Sequence, residues 1–241
     1  MTSADLLGAL NVRIFADGAD LCVIGELARA PHISGFTTNP TLMHKAGVRD
    51  YRAFARELVR LVPDKPISFE VFSDDFEDME RQSDEIAGWG EHVYVKVPVT
   101  NTRGQPSLDL IARLSRRGVQ VNVTAVLTSE QARRVADRLS HGVSAYISIF
   151  AGRVADTGRD PLPIVADTLR HVRGLPDVQV IWASPRELLN IMQAEQVGCH
   201  IITVTADLLR KLHLLGRELE DYSLDTVRMF HMDALEAGFS L

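Results

Sequence analysis

Short runs of apolar, β-branched residues alternate along the chain with longer stretches whose apolar residues recur at i, i+3, i+4 and i+7. The short runs are VRIFAD from Val12, GFTT from Gly35, ISFEVF from Ile67 and HVYVKV from His92. They continue with VQVNVT from Val119, SAYISIF from Ser144, VQVIWA from Val178 and HIITVT from His200. Such runs read as strands, and segments like DYRAFARELVRLV read as the amphipathic helices between them. Strands alternating with helices predict βαβ units and a parallel sheet.

The eight strand starts lie about 27 residues apart on average, room for a strand, a crossover helix and two loops. Eight such units nearly fill the 241 residues and leave one C-terminal helix from about Ser223 to Ala237. The expected fold is α/β: a (β/α)8 TIM barrel over residues 1–241 as one domain, with an additional C-terminal helix. A doubly wound open sheet is the alternative, but no GxGxxG follows the first strand. No linker, low-complexity segment or shift of composition divides the chain.

Composition excludes several function classes. Hydrophobic residues make up 46% and charged residues 24%, so neither a disordered tail nor a coiled coil fits. The net charge of −6 comes without a basic patch, which argues against nucleic acid or an anionic membrane as partner. The start, MTSADLLGALNVRIF, lacks a basic leader followed by an apolar stretch, and no window approaches 18 consecutive apolar residues. Cys22 and Cys199 are far apart in sequence and are expected to be buried free thiols, consistent with a reduced, cytoplasmic setting. The eight histidines form no HxH, HExxH or His-plus-carboxylate cluster, so no metal or cofactor is expected. The absence of GxxxxGK[ST] leaves nucleotide triphosphate chemistry unsupported. The basic runs RLSRRG and QARRVADR read as solvated helix faces.

Strands of a barrel are buried on both faces, so polar residues near their C-terminal ends need a reason. Here they recur. Asp17 ends the first strand, Asn39 follows the second, Glu70 lies late in the third and Lys96 late in the fourth. Asn122 and Thr124 close the fifth, Ser148 is late in the sixth with Arg153 beyond, and Ser184 and Arg186 follow the seventh. All would converge on the C-terminal rim, where barrel enzymes place their active sites.

Lys96 is the most informative of these. The chain has 22 arginines and 4 lysines, yet lysine occupies the cationic position late in an apolar strand. Arginine stays protonated, whereas a desolvated lysine can lose its proton and form a Schiff base with a carbonyl. The structural alternative is an ion pair with Glu70 or Asp17, but buried pairs stabilise weakly against their desolvation cost. Neighbouring carboxylates would raise the lysine pKa while burial would lower it. Arg153, Ser184 and Arg186 suit a phosphate or carboxylate bound in fork geometry, and equally suit rim arginines paired with Asp156 or Glu187. Trp182 fits either a pocket wall or packing.

In order along the chain come ADGAD, GFTTNPTL, SFEV, VKVPVT, VNVTAVLT, ISIFAGRVAD and ASPRE, then the tail YSLDTVRMFHMDALEAGF. The whole series resembles the transaldolase family, of the small single-barrel type related to fructose 6-phosphate aldolases. The resemblance implies that Lys96 is the Schiff-base lysine, that Asp17 is the acid/base residue, and that Glu70 and Thr124 position a catalytic water. Asn39, Asn122 and Ser148 would hold hydroxyls of a three-carbon unit, and Arg153, Ser184 and Arg186 the phosphate of a sugar phosphate. Aldolases of the group are expected to carry Gln where this chain has Glu70 and Tyr where it has Phe150, so both positions resemble the transferase. The chain departs from the family in ISIF and in ASPR, positions that bear on the shape of the substrate pocket. A homo-oligomer is also implied, since small members tend to form rings with the C-terminal helix crossing to a neighbour. Leu224, Val227, Met229 and Phe230 give that helix apolar surface that could equally pack on its own barrel. An aldolase releasing free dihydroxyacetone, a non-covalent sugar-phosphate isomerase and a sugar-phosphate binding protein are the alternatives. The acceptor is open between erythrose 4-phosphate and a pentose phosphate.

Overall fold

The computed structural model describes residues 3–240, in which eight parallel strands close into a barrel in chain order. They are β1 (Arg13–Asp17), β2 (Ile33–Thr37), β3 (Ile67–Glu70), β4 (Val93–Pro98), β5 (Val121–Val126), β6 (Ala145–Ile149), β7 (Val178–Trp182) and β8 (Ile201–Thr205). This is the (β/α)8 barrel that the alternating pattern predicts. β2 begins at Ile33, ahead of the GFTT run, because half-buried Ser34 interrupts the apolar pattern that would mark its start.

Helix starts follow local capping chemistry. Asp20, Asn39, Asp50, Asp75 and Thr128 each accept a backbone N–H at the head of a helix, and Thr128 with Gln131 completes a capping box. The crossovers after β2 and β6 are each split into two helices, Pro40–Lys45 with Tyr51–Leu61 and Ala151–Ala155 with Leu162–Val172. β8 is followed only by a helical turn at Ala206–Leu209 and a 3-10 turn at Leu212–Leu214. The C-terminal helix spans Leu219–Glu236, one turn earlier than Ser223 suggests. Glu220 and Asp221 in its first turn complement the positive helix terminus, and Ser223 lies inside it.

The apolar core lies mainly between the strands and the helix ring. The barrel interior holds a second, smaller cluster of Phe15, Tyr94, Tyr146, Ile181, Ala183 and Ile201, with Phe150 packed against it. Tyr94 and Tyr146 stack with centroids 4.0 Å apart, and Phe15 meets Tyr146 edge-on. Gly35 makes room for Phe15, since a Cβ there would lie 2.6 Å from the ring. These side chains form an apolar floor beneath the rim.

The thiols differ from expectation in one case. Cys199 is buried, with its pKa pushed up by burial, but Cys22 is exposed. Its place in the first turn after the Asp20 cap turns it to solvent. Trp182 is 1% exposed and belongs to the main core, so it serves packing. Arg113, Arg117, Arg133 and Arg138 of RLSRRG and QARRVADR form surface ion pairs, such as Arg113–Glu80 and Arg133–Glu130. Among the described residues, no helix is long and apolar enough to cross a membrane.

Candidate active site

Side chains pointing inward above the apolar floor alternate along each strand with residues facing the helices. Register aligns them, for Glu70 pairs with Lys96 across β3–β4 and Lys96 with Asn122 across β4–β5. Lys96 is 6% exposed. Its Nζ lies 3.1 Å from Glu70 Oε2 and donates to the Thr38 carbonyl at 2.8 Å. The amine therefore has one carboxylate and one carbonyl acceptor.

Glu70 is held from behind. The Tyr51 hydroxyl donates to the Glu70 carbonyl at 2.8 Å, and the Tyr51 ring packs edge-on against Phe69, Phe72 and Trp89. Asp17, at the end of β1, accepts from Thr37 Oγ1 at 2.8 Å, and the Thr37 hydroxyl is in hydrogen-bond contact with that of Thr203. Burial raises the Asp17 carboxyl above its ordinary range and Glu70 adds to the rise, while Lys96 and the Thr37 hydrogen bond oppose it.

A chain of hydroxyls and an amide runs along the adjoining wall. Ser148 Oγ donates to Asn122 Oδ1 at 2.7 Å, and Asn122 Nδ2 donates to Ser68 Oγ at 3.0 Å. Both ends of the Asn122 amide are thereby oriented. Thr124 Oγ1 is buried without a partner. Such a hydroxyl costs free energy unless a water or ligand meets it. Thr124 precedes a bulge in β5, where Ala125 takes a φ of 59°. Asn39 spends its Oδ1 capping the helix Pro40–Lys45, which leaves the amide nitrogen as the group it can offer upward.

At the end of β7, Ser184 also adopts a positive φ, 61°. Its carbonyl lies against Gly152, where a Cβ would come within 1.5 Å of the oxygen. This contact brings Phe150, Arg153 and the helix Ala151–Ala155 beside Ser184 and Arg186. Arg186 holds Asp156 in a bidentate ion pair, with Nε to Oδ1 at 2.9 Å and Nη2 to Oδ2. That hydrogen bonding, helped by Arg153, keeps the Asp156 carboxyl below its usual range. The pairing of a rim arginine with Asp156 is thus realised for Arg186, while its Nη1 is outside the pair.

The rim therefore unites Asp17, Glu70, Lys96, Asn122, Thr124 and Ser148 over the floor, with Arg153, Ser184 and Arg186 grouped beyond β6 and β7. Sequence reasoning missed Ser68, Thr37, Thr203, Tyr51 and Gly152. Ser68 and Thr37 share inward parity with Glu70 and Gly35, so a strict period of two along β3 and β2 marks them. A cleft of about 930 Å³ lies outside the barrel between the helices Ser3–Gly8 and Leu21–Leu27, and none of these rim residues lines it. Among the described residues no group of three or more His, Cys, Asp or Glu is arranged to hold a metal ion.

The class the fold and site define is a closed parallel (β/α)8 barrel with a buried lysine beside a carboxylate at the C-terminal end of its strands. Residues 14–240 match the family described as Transaldolase/Fructose-6-phosphate aldolase. A "Probable transaldolase" of Thermoanaerobacter sp. (strain X514) is 35% identical over 231 residues, covering 95% of this chain and all of that protein. Another "Probable transaldolase", from Dehalococcoides mccartyi, is 34% identical over 202 residues, 83% of this chain and 90% of its own. The chain belongs to the transaldolase/fructose 6-phosphate aldolase family. At 12% identity, a dihydrodipicolinate synthase family protein from Coccidioides immitis shares the barrel fold with a TM-score of 0.64, over 96% of this chain and 80% of its own.

Proposed function

We propose that the protein is a transaldolase that moves a dihydroxyacetone unit from a ketose phosphate to an aldose phosphate through a Schiff base on Lys96. The observation that carries this reading is the Lys96 amine, buried, 3.1 Å from Glu70 and above an apolar floor. Glu70, 3.1 Å away, accepts the ammonium proton, and the free amine attacks carbon 2 of the donor. The carbinolamine loses its hydroxyl as water, with the proton returned through Glu70 and a water held by Thr124. The resulting iminium draws electrons from the bond between carbons 3 and 4. Asp17 takes the proton from the hydroxyl on carbon 4, that bond breaks, and the aldose phosphate leaves.

The enamine left on Lys96 would be held by Asn39, Asn122 and Ser148. Arg153, Ser184 and Arg186 would anchor the phosphate of the departing and arriving sugars. Phe150 supplies no proton to the carbanion, which favours transfer to an acceptor over release of free dihydroxyacetone. The same reading takes the chain as a homo-oligomer working in a reduced, cytoplasmic setting on small sugar phosphates.

Borohydride reduction in the presence of fructose 6-phosphate, followed by peptide mass mapping, tests the proposal. The expected result is a reduced three-carbon adduct on Lys96, none in Lys96→Arg, and exchange of the unit among aldose phosphates. An unlabelled Lys96, or turnover in Lys96→Arg, overturns it. Rapid release of dihydroxyacetone without acceptor would instead assign the aldolase reaction.

A further inference from the structure

Thr37 and Thr203 stand on the strands flanking β1, on β2 and β8 respectively, and are 3% and 5% exposed. Their hydroxyls touch each other, and Thr37 reaches on to Asp17. A hydroxyl has one proton to give. When Asp17 is ionised, Thr37 gives its proton to Oδ1, so the contact between the threonines can be filled only by the proton of Thr203. The direction of the whole chain then runs from Thr203 through Thr37 to the carboxylate.

We propose that Thr203 is a positioning residue for Asp17, acting through Thr37: it locks the Thr37 hydroxyl toward Oδ1 and leaves Oδ2 as the oxygen that meets the substrate proton. The proposal deepens the reading of Asp17 as the proton acceptor and rests on it for its kinetic consequence. Chained hydrogen bonds polarise one another in a buried setting, so the donor behind Thr37 strengthens its bond to the carboxylate. The other groups facing Asp17 are Lys96 on β4, which favours the ionised form, and Glu70 on β3, which disfavours it. Burial works against ionisation as well, so a directed donor is needed where the general base must be ready near neutral pH. Because the chain is prearranged, it requires no reorganisation as the proton arrives.

Asp17 can be titrated in the resting enzyme by carboxyl-carbon NMR, which needs no substrate. Thr203→Val keeps the shape of the side chain and removes the hydroxyl. It is expected to raise the Asp17 midpoint by about half a pH unit, and Thr37→Val by more. The acid limb of kcat/KM for donor cleavage should move by the same amount, with kcat reduced and KM little changed. Thr203→Ser should restore the wild-type midpoint. A wild-type midpoint in folded Thr203→Val, or a Thr203→Ser as perturbed as Val, overturns the proposal. If Val does not fold, Thr203→Ala with the same titration decides. Wild-type protein that never labels Lys96 would sink the transaldolase reading alone, since the titration stands without it.

Discussion

Asp17 is a residue whose chemistry works against the fold that holds it. Its carboxyl is raised by burial and by Glu70. A raised carboxyl adds stability only below its unfolded pKa, and that stability is lost as pH climbs through the folded pKa, so ionised Asp17 is a net cost at pH 7. Asp17→Asn should therefore melt higher than wild type at neutral pH, by about 2–4 °C for each kcal/mol recovered. The gap should narrow as the pH falls toward the ordinary carboxylate range, as calorimetry across pH would record. Donor cleavage in the same variant should drop by roughly 10²–10⁴-fold while borohydride still traps substrate on Lys96. Asp156 makes the opposite case. It orients Arg186 through Nε and Nη2, so Asp156→Ala should leave melting nearly unchanged, as exposed pairs do. It should raise KM for phosphorylated donors by roughly tenfold, about 1.4 kcal/mol, while kcat holds. An unchanged KM would remove Arg186 from the phosphate site.

Among elements, the strand ends carry the site because the backbone there departs from regular β geometry. Ala125 and Ser184 both take left-handed conformations, one at the β5 bulge beside Thr124 and one where β7 gives way to its loop. Gly152→Ala tests how tightly the second of these is packed. The added methyl would meet the Ser184 carbonyl, a backbone atom with no rotamer to yield, so a loss of about 1–3 kcal/mol is expected. Thermal melts and KM for phosphorylated substrates should worsen together, because the helix bearing Arg153 must back away from Ser184 and Arg186. None of this could be read from composition or period. The eight strands and the polar residue late in most of them were legible, because burial on two faces leaves a simple apolar signature that Lys96 or Glu70 visibly breaks. Thr203 was hidden for the converse reason: a threonine in HIITVT looks like ordinary strand material until β8 closes beside β1. Tyr51 reaches Glu70 from a helix start, and Gly152 in the helix Ala151–Ala155 meets Ser184 in the loop after β7; such contacts between distant positions leave no local pattern. Cys22 misled because free cysteine is so often interior.

For the whole molecule, the unanswered demand is the C-terminal helix. None of its residues is buried, and Val227, Phe230 and Leu235 are 59%, 63% and 62% exposed. Leu224, Val227 and Leu235 lie on one side of a rod about 27 Å long. A large exposed apolar face on a helix marks an interaction surface. The same chain carries the cleft of about 930 Å³ beside β1, lined by Leu7, Leu10, Val23 and Leu209, where the short helical turns after β8 leave the barrel thinly covered. A helix extending from one copy onto another is a heterologous contact, and such contacts close into rings when the rotation permits. If the chain assembles as the proposed function takes it to, this helix is the surface through which it does so. Analytical ultracentrifugation should give a mass several times 26.7 kDa for the full chain. Val227→Asp combined with Phe230→Asp should reduce it to the monomer, with far-ultraviolet circular dichroism of the barrel retained. A full chain that sediments as a monomer, or a double variant that still assembles, would show that this apolar face has another purpose.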